Sequence, residues 1–179
     1  MRSQVARHDG HAEWYDETFS AFLNEEEVTF LRESLGPGDG EICLCRADAR
    51  RLPVQDASVA VAAGMFFHTD VEDFVAVARD VARCLHTGGR FVYLGVHPCF
   101  VGPFVNRMTE CENLRLSFTV GYGNTGWANR GSGDGSMIGG RVGFHHKTLA
   151  SFIDAFTSAG LSIRVVREFS ADGHVVADE

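Results

Sequence analysis

A strand–helix–strand unit predicted in the middle of the chain limits the folds that the chain can adopt. The run Ser58 to Phe67 is apolar and of strand length, which predicts a strand covered on both faces. Apolar residues then recur at helical spacing from Val71 to Leu85, and a Thr-Gly-Gly sequence at 87–89 predicts a glycine C-cap. A second apolar strand is predicted from Arg90 to Val96. A unit of about 30 residues in this order indicates two parallel strands joined by a right-handed crossover.

The segments on either side of this unit continue the alternation of helices and strands. A helix is predicted from His11 to Leu35 and another from Phe144 to Ala159, because apolar side chains recur on one face of each. Short strands are predicted at Glu41 to Cys45 and at Leu161 to Phe169. This alternation predicts an α/β fold in which helices cover both faces of a mainly parallel sheet.

Changes in composition divide the chain into segments. Residues 1–40 form a helical segment that ends in Gly-Pro-Gly-Asp-Gly, and residues 41–170 form the α/β core. A glycine-rich insertion occupies residues 98–143 of that core. The polar tail at 171–179 is expected to be loose.

Charge and composition exclude several classes of partner. The net charge of −8 opposes binding to DNA or RNA, since such binding depends on basic residues that displace counterions. No apolar run reaches the length that a membrane span requires, and no signal peptide is recognisable, so we expect a cytoplasmic protein. The five cysteines are odd in number and form no Cys-x-x-Cys pair, which argues against a disulfide framework and a closed zinc site. We therefore predict no metal site.

Five pieces of the sequence, taken in order, resemble class I S-adenosylmethionine-dependent methyltransferases. The segment Arg46 to Asp56 begins Arg-Ala-Asp-Ala-Arg-Arg-Leu-Pro and resembles the segment before the fourth strand of that family. The next three elements follow in the family's order and span Val59 to Val96. They are an apolar strand, an acid-capped helix that ends in Leu-x-x-Gly-Gly, and a second strand. The helix and strand from Thr148 to Phe169 resemble the family's penultimate helix and sixth strand. The segment His97 to Pro103 resembles a bacterial branch that methylates small molecules.

The resemblance implies a Rossmann-like fold, S-adenosylmethionine as cofactor and a small molecule as methyl acceptor. Asp48 and Ala49 match the position that contacts the adenine ring, where the acid accepts a hydrogen bond from the exocyclic amine. Met65 would line the mouth of the same site, at the end of the fourth strand of the family. Another interpretation of Asp48 is a surface acid beside neighbouring arginines.

The sequence also departs from the family. The family's glycine-rich loop follows its first strand, whereas Leu44 is followed here by Cys45, Arg46 and Ala47. The second and third strands are missing with that loop, and the last strand is not visible after Phe169. The fold class is therefore a shortened, doubly wound Rossmann-like sheet. A non-catalytic remnant that acts as an interaction or dimerisation module is the alternative function, because a homodimer would cover the edge of a shortened sheet.

Three histidines are candidates for the base that activates a methyl acceptor. His68 follows the first strand of the central unit and His97 follows the second, at the strand ends where open α/β sheets bind ligands. His146 and its neighbour His145 would point to opposite faces of a strand, so only one can join a site. Packed or helix-capping histidines are the alternative interpretation, and a metal pair of His97 with His145 is less favoured than ordinary polar contacts. Tyr122 could cover a planar substrate or simply pack against the core.

Overall fold

The fold is described from a computed structural model that covers residues 10–19, 23–38, 46–110, 113–128 and 142–169. The chain divides into two compact units. Unit 1 comprises Met1–Ser20, Phe66–Glu72 and Gly95–Ile153, and unit 2 comprises Ala21–Met65, Asp73–Leu94 and Asp154–Glu179. None of the helices in the described part is long and apolar enough to cross a membrane.

Unit 2 contains the predicted strand–helix–strand unit. Strand β1 (Val59–Met65) pairs in parallel with strand β2 (Leu85–Leu94), and helix α3 (Phe74–Cys84) connects them. The register runs from Val61 opposite Arg90 to Met65 opposite Leu94, with an irregularity before Val61. The prediction of two parallel strands around a helix is therefore confirmed.

Aromatic rings form the core of unit 2. The Phe74 side chain is 2% exposed, and its ring centroid lies 5.8 Å from that of Tyr93 and 5.6 Å from that of Phe156. Phe91 contacts the same two rings, with centroid distances of 6.0 Å to Tyr93 and 5.9 Å to Phe156. The apolar stripe of α3 is buried by this packing, as its helical spacing predicted.

The predicted glycine C-cap of α3 is wrong. The helix ends at Cys84, Leu85 is already extended, and the glycines at 88 and 89 lie inside β2. A Cβ atom at position 89 would lie 2.9 Å from the His86 carbonyl oxygen and 3.2 Å from that of Ala60. Glycine at position 89 therefore allows two backbone segments to approach closely, and it does not end a helix.

The N-terminal segment forms two helices where one was predicted. Helix α1 spans Ala12–Phe19 and helix α2 spans Glu25–Leu35. Asn24 caps α2, because its side chain accepts a hydrogen bond from the Glu27 N–H at 2.9 Å while the Glu27 carboxylate accepts from the Asn24 N–H at 3.0 Å. This reciprocal capping box begins a new helix inside the periodic run.

Unit 1 contains two antiparallel pairs of strands. Strands β3 (Val105–Glu110) and β4 (Asn113–Phe118) form one pair, and β5 (Gly126–Ala128) and β6 (Phe144–His146) form the other. Part of the glycine-rich insertion is thus regular structure. The predicted helix from Phe144 is wrong over its first residues, because these form β6 and helix α4 spans Leu149–Ser158, with its first half in unit 1.

The finer predictions of the sheet have different outcomes. Residues 161–168 form no strand, so the predicted strand there is wrong. The predicted strand from Glu41 to Cys45 and the tail at 171–179 lie outside the described residues. The α/β class and the parallel pair of strands are confirmed. A larger, mainly parallel sheet with helices on both faces stays a prediction. The division of the chain at residues 40 and 170 also stays a prediction.

Candidate functional site

The segment before β1 is anchored to α3 by an arginine and an aspartate. Asp80 accepts a hydrogen bond from the Leu52 N–H at 2.6 Å. The Arg83 guanidinium donates to the carbonyl oxygens of Val54 at 2.7 Å and Leu52 at 3.1 Å, and it binds Asp80 at 2.8 Å. These bonds fix the segment that carries Asp48 against a rigid helix.

Asp48 lies in a tight turn and is bound by Arg50. Its Oδ1 accepts hydrogen bonds from the Arg50 backbone N–H at 2.9 Å and from Nε at 3.0 Å, and its Oδ2 accepts from Nη2 at 2.7 Å. These bonds with Arg50 lower the pKa of Asp48 to about 2. Both side chains are about half exposed, at 52% for Asp48 and 51% for Arg50. The ion pair is therefore screened by water and weak, although it engages both carboxylate oxygens.

The end of β1 combines exposure with an unusual backbone conformation. Met65 is the last residue of the strand and is 44% exposed. Phe66 follows with a φ of +54°, in the left-handed region that costs a bulky side chain energy. Such strained residues cluster at functional sites, so the turn at Phe66 is a candidate part of the site.

His68 is buried and neutral. Its side chain is 2% exposed, and its ring centroid lies 4.9 Å from that of Phe152. Burial lowers the pKa of His68 to about 3, with further lowering by electrostatic interactions with Lys147 and His146. The structure places this histidine in a packed interior.

Lys147 joins the loop after β1 to the loop after β6. Its ammonium group, on a residue only 8% exposed, donates to the carbonyl oxygens of His68 at 3.0 Å and Val71 at 2.5 Å. The same nitrogen lies 3.0 Å from Nδ1 of His145. Because an ammonium group only donates, Nδ1 of His145 accepts, and the ring hydrogen resides on Nε2. Burial and the charge of Lys147 lower the pKa of His145.

His146 is also enclosed by the interior of unit 1. It is 2% exposed, and its Nε2 donates to the Tyr122 carbonyl oxygen at 2.8 Å. The ring of Phe104 lies 5.0 Å away between centroids. The Tyr122 hydroxyl accepts from the Leu149 N–H at 2.7 Å, so Tyr122 and His146 together connect β6 to the start of α4. Tyr122 is thus part of the packing of unit 1.

His97 is the most accessible of the three predicted bases. It is half-buried, and its ring lies 4.8 Å from that of Phe100, which is 48% exposed. Nδ1 of His97 accepts a hydrogen bond from the Cys99 N–H at 3.1 Å, so the neutral ring carries its hydrogen on Nε2. In this tautomer Nε2 is a donor rather than a base.

The structure distributes the candidate residues between the two units. Asp48, Ala49 and Met65 belong to unit 2. His68, His97 and His146 belong to unit 1, together with His145. On β6 the adjacent side chains of His145 and His146 point to opposite faces, as expected, and His145 is the more exposed of the two. Within the described part of the chain, no three His, Cys, Asp or Glu residues are arranged to hold a metal ion.

Two proteins are among the solved structures that are similar to this chain. An S-adenosylmethionine dependent methyltransferase from Mesorhizobium loti is 26% identical, with a TM-score of 0.57 over 80% of this chain and 62% of its own. A protein from Listeria monocytogenes assigned to the same class is 18% identical, with a TM-score of 0.57 over 84% of this chain and 68% of its own. No protein-family model matches the sequence, and neither does any curated protein.

The chain therefore has the fold of the class I S-adenosylmethionine-dependent methyltransferases, as the resemblance predicted. It spans about three fifths of the length of the Mesorhizobium loti protein.

The described residues do not fit S-adenosylmethionine as a complete site. Both carboxylate oxygens of Asp48 already accept hydrogen bonds from Arg50, so the amine of an adenine would have to displace them. The sequence from Glu41 to Ala63 contains no glycine, and therefore lacks the loop whose backbone N–H groups approach the cofactor in this type of fold.

Proposed function

We propose that this chain is a methyltransferase-like protein that acts on a small molecule and that, alone, holds S-adenosylmethionine only weakly. The similarity to the Mesorhizobium loti methyltransferase carries the first half of this proposal. The bonds between Asp48 and Arg50 support the second half. The cytoplasm of a bacterium is the proposed setting.

The residue that we assign to the methyl acceptor belongs to unit 1. His97 follows β2 and is half-buried beside the exposed ring of Phe100, whereas His68 and His146 are closed off by packing. An imidazole next to an accessible aromatic ring suits a small planar molecule with a hydrogen-bonding group. His97 is therefore the residue that we assign to the acceptor.

Calorimetry with S-adenosylhomocysteine tests the cofactor half of the proposal. We expect a Kd of about 1 mM or weaker for the unaltered chain, because an affinity of that order requires few of the family's contacts. The variant Arg50→Gln frees the Asp48 carboxylate, and we expect it to bind the ligand more tightly. The double variant R50Q/D48N is the matched control and should lose that gain. Micromolar binding by the unaltered chain would contradict the proposal.

A non-catalytic methyltransferase-fold module is the second candidate function. It is favoured by the run without glycine from Glu41 to Ala63. Transfer of a labelled methyl group to a panel of small phenols and amines separates the two candidates. If Arg50→Gln neither tightens binding nor yields labelled product, the second candidate stands and the first does not.

A further inference from the structure

Trp127 and His145 form a cross-strand pair on the partly exposed face of β5 and β6. The two residues lie directly opposite each other in the antiparallel register. Their ring centroids are 5.4 Å apart, with an angle of 89° between the ring planes. Both residues are half-buried, whereas Phe144 and His146, the neighbours of His145 in β6, are buried. An indole and an imidazole are therefore held together where solvent still reaches them.

Glu72 borders this pair of rings. The Trp127 Nε1–H donates a hydrogen bond to Glu72 Oε2 at 3.4 Å, and Glu72 is exposed. Burial and the charge of Lys147 lower the pKa of His145, and the negative charge of Glu72 opposes this effect. We call Glu72, Trp127 and His145 the indole cluster, and all three residues belong to unit 1.

The two ring nitrogens of His145 have different roles. Nδ1 accepts a hydrogen bond from the Lys147 ammonium group at 3.0 Å, so the ring hydrogen resides on Nε2. Nε2 has no hydrogen-bond partner among the residues that the structure describes. Because the donor to Nδ1 is charged, it polarises the imidazole and makes the Nε2–H a stronger donor. A neutral imidazole held in this way can polarise a carbonyl oxygen.

We propose that the indole cluster binds a neutral, planar molecule through a carbonyl oxygen, which accepts a hydrogen bond from Nε2 of His145. The flat ring of this molecule packs against the indole of Trp127. Charge selects a neutral ligand, because an anion would be repelled by Glu72 and a cation by Lys147. The proposal goes beyond the proposed function, since it assigns no methyl transfer to this cluster and uses no residue that we assign to the acceptor or the cofactor.

NMR titration of protein with isotope-labelled histidine tests the ligand class near pH 7. Benzamide, which is neutral and carries a carbonyl oxygen, should shift the Nε2 resonance of His145 with a Kd of about 1–10 mM. Benzoate and benzylamine carry the same ring with a negative and a positive charge, and each should bind at least about threefold more weakly. No shift at His145 with benzamide, or equal binding of the three compounds, would overturn the proposal.

His145→Phe removes the donor but keeps a ring opposite Trp127. We expect the Kd for benzamide to rise about fivefold, because one hydrogen bond is lost. His86→Phe is the matched control, since His86 is exposed and belongs to unit 2, and it should leave the Kd unchanged. Far-UV circular dichroism checks that each variant folds. Unaltered binding in His145→Phe, or an equal loss in His86→Phe, would contradict the assignment of Nε2 as the donor.

Glu72→Gln tests the charge argument at an exposed position, where the substitution leaves the packing of unit 1 intact. It removes the negative charge beside Trp127, so benzoate should bind at least about threefold more tightly, while benzamide binds as before. Glu13→Gln, at another exposed position of unit 1, is the control and should change neither affinity. An unaltered affinity of Glu72→Gln for benzoate would show that the cluster does not select its ligand by charge and would overturn that part of the proposal.

Discussion

Lys147 Nζ lies 3.0 Å from Nδ1 of His145, two residues earlier in the chain, and this contact fixes which nitrogen of the imidazole carries hydrogen. The same ammonium group donates to two carbonyl oxygens of the loop after β1. A single buried cation thus connects segments that are 79 residues apart in sequence and sets the protonation of a candidate site residue.

Replacing this cation should loosen unit 1. We expect Lys147→Met to lower the free energy of unfolding by about 1–3 kcal/mol, because buried carbonyl oxygens lose their donor. The pKa of His145 should rise, since the charge of Lys147 holds it down. Urea unfolding and an NMR titration of His145 measure the two effects. Arg79→Met, which removes an exposed cation, is the control, and an equal loss of stability there would contradict the prediction.

The buried His68 predicts a pH dependence of stability. Its pKa is about 3 in the folded chain and near 6.5 when unfolded, so the unfolded state binds more protons between these values. Stability therefore falls as the pH drops through this window, by about 1.4 kcal/mol per pH unit at most. Urea unfolding at several pH values from about 6 down to about 4, all inside this window, measures the slope.

His68→Leu is the variant that isolates this contribution. It removes the titrating group from its packed site and should flatten the slope, whereas His86→Gln, at an exposed position, should leave it unchanged. An unaltered slope in His68→Leu would show that another group is responsible.

The hydrogen bonds that hold the segment before β1 to α3 should protect that segment from proteolysis. Arg83→Met removes the donors to the carbonyl oxygens of Leu52 and Val54. We expect trypsin to cleave faster after Arg50 and Arg51, because the turn that contains them is no longer held to α3. Cleavage rates followed by mass spectrometry test this, and equal rates in Arg83→Met and the unaltered chain would contradict it.

Because backbone atoms approach closely at Gly89, a side chain at this position should destabilise the fold. In Gly89→Ala the added Cβ meets two carbonyl oxygens, those of His86 and Ala60, so β1 and β2 must shift. We expect a loss of about 1–3 kcal/mol in the free energy of unfolding. Gly123→Ala is the control, because a Cβ there has no neighbour within 4 Å. A smaller loss at position 89 than at 123 would contradict this explanation.

The parts of the fold that the sequence predicted are those with long, regular patterns. Regular spacing of apolar residues predicts an element without knowledge of what packs against it. This spacing is present in β1, α3 and β2. The elements that were wrong depended on competing local signals. The capping box of Asn24 divided a periodic run into two helices, and Gly89 was needed between strands rather than at a helix end.

The candidate site was less predictable because it depends on burial. A sequence places His68 after a strand but does not reveal that Phe152 and Lys147 enclose it. The tautomer of His97 is set by a backbone N–H two residues away, which only the folded loop positions. The binding of Asp48 by Arg50 is local, by contrast, and a spacing of two residues in a turn could have indicated it.

The environment of Lys147 also has a practical consequence. It is the only lysine of the 179-residue chain, and its amine is buried and bonded. Amine-directed dyes should therefore leave this side chain unlabelled while unit 1 is folded. A dye attached to Lys147 would then record the opening of unit 1.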